Sequence, residues 1–354
     1  MTAEGGPPHP KSLFGNKYGT RPAWRRWGRL GLGLTISLGV MLWLVTNLEI
    51  QQVVLALRQE DYAWVSLGLV AVICTLWARV RRWHTLLDSQ HVRPGGTLQA
   101  LVIGQLLNLV FPARLGDLGR AYLITQRGYN SQAQALGTVA LEKLWDIVLL
   151  IALAVGLAFW QPLPAWFATP ARLTGAGGGI LLVSVVGVLL LRRQAVFRWP
   201  RFLSSGNAER AVVSTWPVRR LGRVGGRLAD GLEGIRRPRV MAAAGSWSIL
   251  AWIFGALTNL ALLKAFNLPP SIGVALFLLA VLQLGVAVPS VPGRFGVFEG
   301  LCLLTLAVFG VEANLALAYG VMLHGVVLLP PLVLGSWWLV RLNWPARQTI
   351  RELP

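Results

Sequence analysis

A short polar phrase occurs twice in this chain, as Pro112-Ala113-Arg114-Leu115-Gly116 and as Pro292-Gly293-Arg294-Phe295-Gly296, each time interrupting apolar sequence. Both copies hold a helix breaker, a fixed positive charge and a glycine four positions after the proline. An arginine at the centre of a bilayer costs roughly 2.5 to 3.5 kcal/mol on insertion scales, so one in each half implies a use. Broken apolar segments recurring in two halves are a signature of repeat-built transporters. The use these residues suggest is holding an anionic lipid headgroup.

Composition supports a membrane setting. Of 354 residues, 55% are hydrophobic and 13% charged, against about 25% charged in soluble domains. The chain is expected to be all-α, a polytopic transmembrane helical bundle. Its formal charge of +19 comes without zinc-finger, aromatic-platform or basic-helix patterns, so no nucleic-acid partner is implied. Cys74 and Cys302 lie inside apolar runs and read as packing residues. There is no Walker loop, nucleophile elbow or histidine-rich cluster. The sequence therefore assigns no catalytic residue, metal or cofactor, and an enzyme is not expected.

Apolar windows fall at about 30–48, 62–80, 98–111, 136–159, 174–191, 242–266, 272–288, 297–310 and 315–340. A full span needs about 20 residues, so 98–111 and 297–310 are short. Cytoplasmic loops are enriched in Lys and Arg. That rule puts the basic tail 1–29 inside, the acidic connection 49–61 outside, and the 192–239 connection, with twelve arginines against three acids, inside. The tail 342–354 is also inside. The charges agree only if 98–126 enters and leaves on one side, as a re-entrant hairpin broken at Pro112. The second hairpin, 272–310, is expected to break between Pro289 and Gly296, although two full crossings satisfy the charges equally. Helix, hairpin, helix then occurs twice within a single domain, 30–341. The halves are 62–159 and 242–340, in opposite orientation: an inverted repeat. Irregular backbone at membrane depth must be buried or line a cavity, so the two breaks should face each other.

Helix ends at such breaks direct unpaired N–H groups at an anion. Arg114 and Arg294 add planar donor forks, and Gly116, Gly293 and Gly296 admit close backbone approach. Arg120 is a further candidate near the first break. Glu142 and Asp146, four apart on one helix, and Glu299 are intramembrane acids, read either as counter-charges and proton-linked sites or as structural partners of Arg114, Arg120 or Arg294. Asp117 reads as a cap or partner of Arg120. His324 lies midway along the last helix, ahead of Pro330 and Pro331, which are expected to kink it.

These residues carry a resemblance. Arg82-Trp83 with Leu86-Leu87, Asn108 to Asp117 with Arg120-Ala121, Glu142 to Asp146, and Pro289 to Glu299 run in the order of the lysylphosphatidylglycerol synthase transmembrane-region family, over about residues 30 to 341. The resemblance implies a bacterial inner-membrane protein that handles anionic or aminoacylated phospholipids, or polyprenyl-phosphate-linked lipids. Functional positions carry over onto Arg114, Arg120, Glu142, Asp146 and Glu299, with Asn108 and His324 as further candidates. Asp117 stands where Glu is usual, Lys143 where Arg is usual, Arg294 where a small residue is common and His324 where Arg is often found. A transferase partner, a transferase activity of its own and homo-oligomerisation stay open as alternatives.

Overall fold

The computed structural model describes residues 48–89, 91–111, 115–160, 164–165, 167–169, 237–285 and 292–341, with isolated positions between 35 and 46. Most of the first apolar window, the 174–191 window, most of the basic connection 192–239, both tails, residues 112–114 with Arg114, and residues 286–291 lie outside the described residues. Among the described residues the chain is helical, with no strand.

The helices are α1 (Ile50–Gln59), α2 (Tyr62–Leu87), α3 (Pro94–Val110), α4 (Leu115–Thr125), α5 (Gln132–Trp160), α6 (Pro238–Ala265), α7 (Ile272–Gly285), α8 (Val297–Ala307) and α9 (Ala313–Arg341). Four of them, α2, α5, α6 and α9, are long and apolar enough to cross a membrane. The chain is thus a polytopic helical bundle. Local chemistry fixes several ends. Asp61 accepts the Ala63 N–H at 2.9 Å and caps α2. We expect Asp61→Ala to lower stability by about 1 kcal/mol, read as a small drop in the thermal midpoint in detergent. Phe111 ends α3 in extended backbone, φ −103° and ψ 137°, as the residue before a proline must. Helix α9 runs through Pro330 and Pro331 without interruption, so the expected kink is not a break in the helix.

Helices α2 and α6 pack antiparallel along their lengths. The Asp61 N–H meets the Ala265 carbonyl at 3.3 Å at one end, Gly68 lies against Leu262 midway, and Arg82 reaches Ser248 at 3.2 Å toward the other. Between each long pair stands a hairpin of short helices. In the first, α3 and α4 cross where Gly104 meets Gly116. In the second, Gly285 of α7 faces Leu301 of α8, and Phe277 and Phe309 meet at 5.9 Å farther along. With 17, 11, 14 and 11 residues, all four fall short of the about 20 residues typical of a span.

The hairpins exchange partners. Helix α3 of the first half packs on α9 of the second, with Leu106 and Val102 against Gly335. Helix α7 of the second half packs on α5 of the first, through Leu157, Ala158, Phe277, Ala280 and Val281. The same exchange leaves one apolar core around α2, α3 and α4 and another around α6 to α9.

Candidate functional site

The turn after Pro292 is built from left-handed backbone. Gly293 has φ 76°, Arg294 φ 60° and Gly296 φ 83°. For arginine such a conformation costs roughly 1 to 3 kcal/mol, so the fold holds Arg294, half-buried, in place against that strain. A Cβ on Gly293 would lie 3.1 Å from Leu109 Cδ1, two residues before Phe111 ends α3. The second break therefore sits against the mouth of the first, where Pro112 to Arg114 follow outside the described residues.

The glycine that closes each phrase does the same thing. Gly116 donates its N–H to Asn108 Oδ1 at 2.8 Å, and Gly296 donates to Glu299 Oε2 at 2.7 Å. This corrects the expectation that these N–H groups await an anion. A helix-start donor buried in apolar surroundings must be satisfied, and here a side chain of the same hairpin satisfies it.

Arg120 is also committed. It is 5% exposed, bonds Glu142 Oε2 at 2.8 Å and Asp117 at 3.0 Å, and its guanidinium lies 4.9 Å from the centre of the Trp83 ring. Glu142 divides its two oxygens between two arginines, because Arg82 bonds Oε1 at 2.7 Å. Arg82 then reaches Asp146 at 2.6 Å and Ser248 at 3.2 Å. Buried charges survive only in such pairs. Glu142 and Asp146 thus both pair with arginine, Glu142 with Arg120 and Arg82 and Asp146 with Arg82. Among the described residues no group of His, Cys, Asp and Glu is arranged to hold a metal.

Arg82, which stands in the Arg82-Trp83 pair of the family resemblance, is not a site candidate of the sequence; with Arg79 and Arg81 it forms a run of positive charge near the end of α2. The residue is 1% exposed at the junction of α2, α5 and α6.

The second half closes with its own pair. Glu299 Oε1 and His324 Nδ1 are 2.6 Å apart, joining α8 to α9, and the imidazole stacks on Phe298 with ring centres 4.3 Å apart. Glu299 thus caps its helix with one oxygen and holds His324 with the other. In each half a side-chain pair ties the short helix after the break to the long helix that follows, Arg120 to Glu142 and Glu299 to His324. Glu299→Ala should orphan two buried partners and cost about 1 to 3 kcal/mol for each. Glu299→Gln should retain much of that loss, and thermal denaturation in detergent separates the two.

The model of the lysylphosphatidylglycerol synthase TM region matches residues 31–335. The chain is also similar to glycosyltransferase AglD of Haloferax volcanii, at 24% identity over 365 residues, covering 94% of this chain and 57% of that protein. The chain thus spans little more than half of that relative. No solved structure matches it. With most of its length matched by one family model, this multi-pass membrane protein belongs to the lysylphosphatidylglycerol synthase transmembrane-region family.

Proposed function

We propose that the protein is a flippase-like translocator of a lipid with a phosphate-bearing headgroup, held where the two Pro-x-Arg-x-Gly elbows meet. The lipid is an anionic or aminoacylated phospholipid or a polyprenyl-phosphate-linked lipid. The observation that carries the reading is the closeness of Gly293 to Leu109, which brings the second elbow to the end of the helix that leads into the first phrase. Antiparallel α2 and α6 and the exchanged packing of α3 and α7 support an inverted repeat with re-entrant hairpins, the architecture of alternating access. The Gly116 and Gly296 N–H groups, Arg120 and Glu142 are engaged within the protein, and this reading assigns the phosphate to Arg114 and Arg294, whose planar donor forks suit it. In this reading the protein sits in a bacterial inner membrane with both termini cytoplasmic, and is not itself an enzyme.

The test is exchange of a labelled phosphatidylglycerol between leaflets of reconstituted liposomes. Arg294→Gly keeps the left-handed backbone without its steric cost, so a folded protein is expected. Losing this charge should slow exchange at least tenfold, about 1.4 kcal/mol, as should Arg114→Ala. Exchange at the unaltered rate in both variants would remove the elbow site.

One observation supports a second reading. The relative AglD carries the name glycosyltransferase, and in this reading the present chain is the membrane partner of a transferase, presenting a lipid-linked substrate. Loss of a transferase activity in cells lacking this protein, with no leaflet exchange in liposomes, would favour it.

A further inference from the structure

Away from the elbows, α5, α6 and α7 enclose a lateral groove of about 430 Å³, within the roughly 300 to 1,000 Å³ of small-molecule sites. Its walls are wholly apolar and include Leu149 and Leu153 of α5, Trp252, Ala256 and Leu260 of α6, and Leu276 of α7. Ile249, Ile253 and Leu257 along its rim remain 44 to 49% exposed. The groove therefore opens sideways, toward hydrocarbon when the chain is in a bilayer.

One end of it is charged. Leu149 lies three residues after Asp146 on the same face of α5, and Ile249 follows Ser248, whose hydroxyl accepts from Arg82. The Asp146 side chain keeps 29% of its surface exposed. Arg79, one turn before Arg82, is half-buried and acts electrostatically on Asp146 and Glu142. Among the described residues no carboxylate lies within ion-pair distance of it. Across this network Arg79, Arg82, Arg120 and Lys143 stand against three carboxylates, Asp117, Glu142 and Asp146, one positive charge in excess. The ion pairs then run on from Asp146 through Arg82, Glu142 and Arg120 to Asp117, the neighbour of Gly116 in the first elbow.

We propose that this groove binds one hydrocarbon chain of an anionic membrane lipid, with the headgroup held by Arg79 at its charged end. Charge selects the occupant: an apolar slot that ends on an unmatched guanidinium fits an amphiphile with a negative head. The site is separate from the elbows and does not require that the lipid crosses the membrane.

The test is photolabelling of the full chain in liposomes with a phosphatidylglycerol bearing a diazirine midway along one acyl chain, and mapping of adducts by mass spectrometry. Adducts on 149–153 and 252–260 should exceed at least fivefold those on 67–73, a lipid-facing stretch of α2. Most of that excess should vanish with the matching phosphatidylcholine probe and with Arg79→Gln. Ala152→Leu and Ala256→Trp, each narrowing the groove, should also lower it; the milder Ala152→Leu keeps the test readable if the larger side chain impairs folding. Groove labelling no stronger than on α2, or indifferent to both headgroup and Arg79, would overturn the proposal. So would cross-linking of Ala256→Cys to residues 174–191 or to a second copy, since the groove would then be filled by protein. Groove adducts without leaflet exchange would support this site while removing the translocation reading.

Discussion

Glu142→Ala is expected to destabilise the protein by about 3 to 5 kcal/mol, the usual cost of removing one partner from a buried ion pair. Glu142 is 4% exposed and gives one oxygen to Arg82 and the other to Arg120, themselves 1% and 5% exposed. Its removal leaves two guanidinium groups inside the bundle with Asp146 and Asp117 at the periphery as their remaining carboxylates. Folded proteins have only about 5 to 15 kcal/mol to lose, so little Glu142→Ala protein should accumulate in membranes. Glu142→Gln, of the same shape without the charge, should fall between. The double variant Glu142→Ala with Arg120→Leu should recover about 1 to 3 kcal/mol relative to the sum of the single changes, because one orphaned charge goes with its partner. Thermal denaturation in detergent reads all of these. Additive losses would show that the network is not the joint between α2, α4 and α5 that its geometry implies.

Gly116→Ala should be nearly as damaging, for a steric reason. An added Cβ would stand 1.8 Å from the Gly104 carbonyl oxygen and 2.7 Å from the Asn108 side chain, far inside van der Waals contact. To relieve that clash α4 must move off α3, taking the Gly116 to Asn108 bond and the position of Arg120 with it. Overpacking typically costs about 1 to 3 kcal/mol, and the lost bond adds about 1 kcal/mol. Gly156→Ala is the comparison. Among the described residues no atom beyond its chain neighbours and its own helix backbone lies within 4 Å of the Cβ it would add to α5, and alanine is the better helix former by about 1 kcal/mol, so stability should hold or rise. Equal midpoints for the two variants would mean that α3 and α4 do not cross at Gly104 and Gly116.

The long helices were legible from their apolar runs, and their ends differ from the expected windows by a few residues. The breaks were legible too, because Pro112 forces Phe111 out of the helix and Gly293 and Gly296 supply left-handed backbone. What the sequence could not show is which charges meet. Arg120 and Glu142 are 22 positions apart and Arg82 and Glu142 are 60 apart, and no periodicity encodes a contact between helices. Arg82 looked like topology because positive charge near a helix end serves orientation in most membrane proteins. Gly116 looked open to a ligand because its partner, Asn108, belongs to the preceding helix, whereas Glu299, at the third position of the helix that Gly296 opens, had the spacing of a capping box. In both cases the bilayer's intolerance of unsatisfied polar groups decided the outcome.

The proposed meeting of the two elbows is tested most directly by cross-linking Leu109→Cys to Gly293→Cys in intact membranes, with Cys74 and Cys302 replaced by alanine. A short bifunctional thiol reagent should join 109 to 293 as efficiently as the reference pair Gly68→Cys and Thr258→Cys across α2 and α6, and the joined protein should no longer exchange lipid between leaflets. An unlinked 109 and 293 beside an efficiently linked reference pair, or lipid exchange that continues unchanged in the linked protein, would contradict the account.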